Sequence, residues 1–176
     1  MQVILLAAQS LDGFITRHGA PGSGFTSAED KEHFRAALAG CDCSIMGGIT
    51  YRESCAAKPS NAARHRLCVV LTRTPTRNEA EARPDLLEFT DKAPEKIITD
   101  LRARGCTRCA LLGGGQIYSL FLAAKQVDEL WLTVEPILFG GGARLMTAAM
   151  DARLELLSSR KLNAAGTLVL RYRILQ

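Results

Sequence analysis

Nothing in this sequence approaches the roughly 18 consecutive apolar residues of a membrane span. The opening MQVILLAAQSLDG has no basic segment ahead of its apolar run, so it does not read as a leader. The chain therefore reads as cytoplasmic, with no membrane partner. Aromatic residues are few, at 6%, and histidine occurs three times, which leaves no basis for a stacked nucleic-acid platform or a histidine-rich metal site. Neither charge dominates, with 22 Lys and Arg against 18 Asp and Glu, and a net charge of +4 is too mild to argue for nucleic acid as a partner. There is no internal repeat and no low-complexity stretch.

The six cysteines are even in number. A chain without a secretion signal, and long enough to bury an adequate core, does not need a disulfide framework. They are expected as free thiols. Cys41-x-Cys43 and Cys106-x-x-Cys109 invite a metal reading, but no further pair or histidine follows at finger-like spacing, and no metal is expected. A redox pair at 106 and 109 is disfavoured because it precedes a strand rather than opening a helix.

At 176 residues, with 47% hydrophobic and 23% charged content, residues 1–176 make one globular domain. VILLAA (3–8) is a strand buried on both faces. Thr26 and Glu29 have capping-box spacing, which predicts a helix from near Ser27 to Gly40 with Phe34, Ala37 and Leu38 on one face. Short apolar strands follow at 43–46, 67–72, 86–89 and 109–112, with helices after Gly48, from Pro94 and after Gly115. From Val127 the helices stop. Strands at 127–134, 154–162 and 167–174 remain, the last two joined by a turn at Asn163–Gly166. The fold class is α/β, with a largely parallel central sheet, flanking helices and a C-terminal antiparallel hairpin.

The sharpest motif is LLGGGQIY (111–118), a buried strand, three glycines and a helix. Glycines let a ligand approach the backbone, and a helix N-terminus presents free N–H groups to a phosphate. An unliganded tight turn is the plainer alternative. Gly47-Gly48 repeats the arrangement after another strand, and Thr72-Arg73 ends a third. If those strands are neighbours, the hydroxyl and guanidinium suit a dinucleotide carrying an extra ribose phosphate. Six basic residues, Arg52, Lys58, Arg64, Arg66, Arg73 and Arg77, face one acid, Glu53, between Met46 and Arg77. They form either an anion-docking face or a solvated loop. His33 and His65 are expected in solvent, while His18 lies in a glycine-rich loop where it could touch substrate. Gly140-Gly141-Gly142 reads as a backbone bend.

SLDGFIT (10–16), SIMGGITYRES (44–54), LLGGGQIYSLFLAAKQVDELWLTVEPILFGGGARLM (111–146) and the terminal hairpin together resemble the dihydrofolate-reductase-like family. Among its branches, the reductase domain of bacterial riboflavin biosynthesis is the most similar. The resemblance implies a three-layer fold with a mixed sheet of about eight strands. It also implies NADPH as hydride donor, a small-molecule substrate and a homodimer, with Ile137, Leu138 and Phe139 near the subunit contact. It assigns Gly47, Gly48, Thr50, Gly113, Gly114, Gly115, Gln116, Ile117 and Tyr118 to the cofactor, and sets Thr72 and Arg73 near its 2′-phosphate. Asp12 and Asp30 are the candidate acids, and Ser10 and Phe25 the candidate substrate contacts. Asp12 is otherwise a turn residue before Gly13, and Asp30 otherwise a helix-dipole partner. The stretch TYRESCAAKPS lacks the paired aspartates and proline of the riboflavin-type enzymes. The expected function is an NADPH-dependent reductase acting on a C=N or C=O bond of a pterin- or pyrimidine-like heterocycle. The alternative is a noncatalytic NADP-binding module of the same fold.

Overall fold

The computed structural model describes residues 1–20, 22–56 and 66–175, the side chains of Cys55 and Ala56 excepted. Lys58, Arg64 and His65 lie outside the described residues. Eight strands form one sheet: β1 (Gln2–Ser10), β2 (Cys43–Gly47), β3 (Leu67–Leu71), β4 (Leu87–Thr90), β5 (Arg108–Leu111), β6 (Glu129–Glu135), β7 (Arg153–Lys161) and β8 (Leu168–Leu175). Its order is β4-β3-β2-β5-β1-β6-β8-β7. The six strands from β4 to β6 run parallel, and β8 and β7 are antiparallel additions.

Helices α1 (Ala28–Ala39), α2 (Gly48–Ala56), α3 (Pro94–Ala103) and α4 (Gly115–Ala123) flank the sheet. Strand alternation divides the core between its faces. Val3, Leu5, Ile45 and Val69 meet α3 and α4 through Ile98, Leu101 and Phe121. Ile4, Leu6 and Trp131 meet α1 through Ala37 and Leu38, and Met46 and Val70 meet α2 through Tyr51. Phe121 is fully buried, and truncating such a ring to alanine costs about 3–5 kcal/mol.

The expected capping box is displaced by one residue. Ser27, not Thr26, is the N-cap of α1, and its hydroxyl accepts the Asp30 amide at 3.2 Å. Thr26 is buried instead. Gly40 stops the helix as expected, and Pro94 opens α3. Phe34, Ala37 and Leu38 share one face as expected and all line the cleft described below, Phe34 exposed at 38% and the other two half-buried. The hairpin turn is held by Asn163, whose side-chain oxygen accepts the Gly166 and Thr167 amides.

One feature of the order positions the site. β5 inserts between β1 and β2, so the carboxyl ends of β2 and β5 are neighbours, and each leads into a helix that begins at glycine. Ligands of open α/β sheets sit outside such strand ends.

Candidate active site

A cleft of about 2020 Å³ runs across the carboxyl ends of the parallel strands. That is room for more than one small-molecule ligand. One half is walled by Gly47, Gly48 and Thr50, by Thr72 and Arg73, and by Gly114, Gly115, Gln116 and Ile117. The other half holds Leu6, Ala8, Phe34, Trp131 and Thr133 around Asp30.

The two glycine turns are tied together. The Gly47 amide donates to the Gly113 carbonyl at 2.7 Å, and a Cβ on Gly47 would stand 2.9 Å from Ile117 Cγ1. At the α4 terminus the Ile117 and Tyr118 amides both return to the Gly114 carbonyl. The Gly115 and Gln116 amides have no backbone acceptor among the described residues. They are the orphan donors with which a helix N-terminus attracts an anion. The Gly113–Gly114 peptide is cis.

The three glycines have different duties. Gly113 has φ +88°, and a Cβ there would lie 2.5 Å from Tyr118 Cζ. A Cβ on Gly115 would lie 2.5 Å from the Arg144 carbonyl oxygen. A Cβ on Gly114 would meet only Thr50 Oγ1, at 3.7 Å. Gly113 and Gly115 are therefore required by packing, whereas Gly114 leaves open space beside the free amides. A backbone lined in this way fits a pyrophosphate-bearing cofactor.

Tyr118, expected among the cofactor contacts, also lines the cleft, although it is only 4% exposed. Its hydroxyl donates to the Leu6 carbonyl at 2.7 Å, and burial pushes its pKa up beyond the usual phenol range. Of the basic residues between 46 and 77, Arg52 and Arg73 reach the cleft, whereas Arg66 Nε donates to the Cys41 carbonyl. The described part of that stretch thus does not form one anion-docking face.

The candidate acids separate. Asp30 is buried at 6% exposure and lines the cleft, and among the described residues no group donates a hydrogen bond to its carboxylate. Asp12 does not line the cleft. Its carboxylate accepts the Ser10 hydroxyl at 2.5 Å, the Gly140 amide at 2.7 Å and the Phe139 amide at 3.1 Å. The Ser10 hydroxyl above all, then the Gly140 amide, holds Asp12 below the usual carboxylate range. A carboxylate engaged in this way anchors the bend at Gly140–Gly142. Ser10 is wholly buried in the same network. Phe25 also falls outside the cleft wall, its ring edge-on to Phe139 at 5.0 Å. His18 packs near the same ring; of the residues expected near a subunit contact, Phe139 is buried within the chain and Leu138 is 70% exposed.

Two polar residues the sequence did not single out support the substrate half. Buried Glu135 accepts the Ser27 amide at 2.7 Å and the Thr167 hydroxyl at 2.6 Å, so it fixes the start of α1, and with it Asp30, against β6. Thr133, two residues before, lines the cleft. Alternation along β6 is the signal that would have found both, since residues 131, 133 and 135 share a face.

The family model of the RibD C-terminal domain matches residues 1–167. The chain belongs to the RibD C-terminal domain family. Solved structures agree on the fold. A protein from Shewanella sp. PV-4, assigned provisionally to riboflavin biosynthesis, superposes with a TM-score of 0.77 at 23% identity, covering 100% of both chains. The Thermotoga maritima diaminohydroxyphosphoribosylaminopyrimidine deaminase/5-amino-6-(5-phosphoribosylamino)uracil reductase gives 0.77 at 18% identity, with 99% of this chain matched to 56% of that one. Dihydrofolate reductase from Enterococcus faecalis, complexed with NADP(H) and RAB-propyl, gives 0.70 at 17% identity, covering 99% and 97%. This RibD C-terminal domain thus has the dihydrofolate-reductase-like fold. No curated protein matches the chain.

Among the described residues of this RibD C-terminal domain, no group of three or more His, Cys, Asp or Glu is placed to hold a metal ion. Cys41, Cys43, Cys106 and Cys109 are free thiols. Cys43 is held far above the usual thiol range, first by its hydrogen bond with Cys109 and then by burial. No helix among the described residues is long and apolar enough to cross a membrane.

Proposed function

We propose that this protein is an NADPH-dependent reductase transferring hydride to a C=N or C=O bond of a small pterin- or pyrimidine-like heterocycle. The observation that carries the reading is the division of one cleft. Two glycine-started helix termini and Thr72-Arg73 occupy one half, and a single buried carboxylate, Asp30, occupies the other. Membership of the RibD C-terminal domain family supports it.

NADPH, when bound, supplies the hydride. The Gly115 and Gln116 amides and the first turn of α2 at Gly48 and Thr50 hold its pyrophosphate. Thr72 and Arg73 receive the 2′-phosphate through charge-assisted hydrogen bonds. Asp30, with free acceptor oxygens, accepts N–H donors from the heterocycle, orients it, and holds near its Oδ atoms the proton that must accompany the hydride. Apolar Leu6, Phe34 and Trp131 exclude water from that half. A second reading, a noncatalytic NADP-binding module, draws on the engagement of Asp12, which leaves Asp30 as the one buried acid in the cleft among the described residues.

We also propose a homodimer formed through β7, all nine residues of which are exposed, Leu154, Leu156 and Leu157 among them. Sedimentation of the wild type against Leu156→Lys tests this, and a wild-type monomer would refute it.

The deciding experiment is a titration with NADPH and NADH, followed by energy transfer from Trp131, the single tryptophan, and by calorimetry. NADPH should bind more tightly, and Arg73→Ala should weaken NADPH by at least about tenfold while leaving NADH nearly unchanged. No binding of either nucleotide, or equal losses in the variant, would overturn the assignment. Saturable NADPH binding without turnover over pterin, pyrimidine and quinoid substrates would favour the second reading.

A further inference from the structure

Two arginines from two strands lie over Trp131, and a third, Arg160, acts on one of them from the neighbouring strand. The Arg171 guanidinium lies 3.7 Å from the ring centroid and that of Arg108 lies 5.2 Å away. Arg171 stands directly opposite Trp131 in the β6–β8 ladder, so contact is built into the register. Arg160 reaches from β7 to 3.5 Å from Nδ1 of His33 on α1. Trp131 and His33 belong to the wall of the cleft, so the arginines contact two of its wall residues.

Like charges so close repel one another. Among the described residues, no carboxylate forms an ion pair with Arg108, Arg160 or Arg171. Glu129 acts on Arg171 from a distance, but its oxygens already accept Trp131 Nε1 and Gln2 Nε2. Arg108 Nε is the one buried side-chain nitrogen or oxygen without a partner among the described residues. A buried donor left unpaired costs free energy, the more so on a charged group. Burial, then Arg160, keeps Arg171 below the usual guanidinium range, and burial, Arg171 and Arg160 push His33 down. What this cluster lacks is a negative charge with several acceptor lone pairs. Guanidinium forks match that chemistry bidentately.

We infer that Arg108 and Arg171 over Trp131, with Arg160 on the neighbouring strand, form an oxyanion site that takes a phosphate group. It is distinct from the place proposed for the cofactor's 2′-phosphate. Arg73 follows β3 and Arg171 is on β8, five strand spacings apart in the sheet order, or about 24 Å. A free phosphate and the phosphate end of a cleft ligand share this chemistry.

The test uses Trp131 fluorescence and calorimetry on the whole protein, titrated with sodium phosphate and with sodium chloride at matched ionic strength. Phosphate should give a saturable response that chloride does not. Arg171→Gln and Arg160→Gln should each weaken it by at least about tenfold. Arg160 is exposed on β7, the strand proposed for the dimer contact, so its variant is compared with the wild type after sedimentation shows the same oligomeric state. The response should persist in Arg73→Ala, which separates this site from the cofactor reading. Phenyl phosphate binding about tenfold tighter than inorganic phosphate assigns the site to the end of a cleft ligand, and equal binding to a free anion; both uphold it. An equal response to chloride, or a phosphate response unchanged in both arginine variants, overturns it, as does loss of the response in Arg73→Ala alone.

Discussion

Adjacent glycines in the 113–115 turn should respond in opposite ways to the same methyl group. In Gly113→Ala the new Cβ meets Tyr118 Cζ at 2.5 Å and its hydroxyl oxygen at 2.6 Å, on a backbone with φ +88°. The left-handed conformation costs an alanine about 1–2 kcal/mol. Displacing the Tyr118 ring also breaks its buried bond to the Leu6 carbonyl, worth about 1–3 kcal/mol when a partner is left unpaired. A loss of about 3 kcal/mol follows, which for a chain of this length lowers Tm by about 6–12 °C.

Gly114→Ala is the counterpart. Its φ is −71°, and the nearest atom to the new methyl is Thr50 Oγ1 at 3.7 Å. Stability should fall by only about 1 kcal/mol, the difference between glycine and alanine at an N-cap. The methyl would occupy the space beside the Gly115 and Gln116 amides, so NADPH binding should weaken by at least about tenfold, or 1.4 kcal/mol. Thermal melts and calorimetry on both variants separate the effects. Full NADPH affinity in Gly114→Ala would remove this turn from the cofactor site. Wild-type stability in Gly113→Ala would refute the packing argument.

Asp30→Asn should leave NADPH affinity intact and lower turnover of a reducible heterocycle by at least about a hundredfold; in stopped-flow assays, an unchanged rate would release Asp30 from the proposed chemistry. Asp12 is held below its unfolded pKa of about 4, so its contribution is complete above that pH and is lost as pH falls through the folded value. Asp12→Asn should therefore narrow the stability gap between pH 7 and pH 3 in urea melts, and an unchanged gap would count against the Ser10–Asp12–Gly140 network. Glu135→Ala strands the Ser27 amide and the Thr167 hydroxyl and should destabilise the fold by about 3 kcal/mol in the same melts; a change below about 1 kcal/mol would mean that water replaces the carboxylate.

What was legible in the sequence is what short-range physics decides. A buried strand needs an apolar run, a helix needs a cap, and a strand-to-helix turn that exposes amides needs glycine. All three are written within a few residues, so the strand after Met1, the stop at Gly40, the turns at Gly47-Gly48 and Gly113–Gly115 and the hairpin at Asn163–Gly166 could be read directly. Alternation broke off after β6 because β7 and β8 pair antiparallel and carry no crossover helix. The displaced cap shows the limit of such reading: Thr26 and Ser27 are both good caps by type. The choice fell to Ser27 because its amide is claimed by Glu135, 108 residues away.

The tertiary structure decided everything that depends on distant partners. Insertion of β5 between β1 and β2 brought the two glycine turns to one cleft. Asp12 and Asp30 are equally plausible acids in one dimension. Only the fold shows that the amides of residues 139 and 140 close over Asp12 and leave Asp30 open. Arg108, Arg160 and Arg171 come from three strands and have no local signature at all. The division follows from range: local backbone preferences act within a turn or two of chain, whereas desolvation and charge pairing act wherever folding brings side chains together.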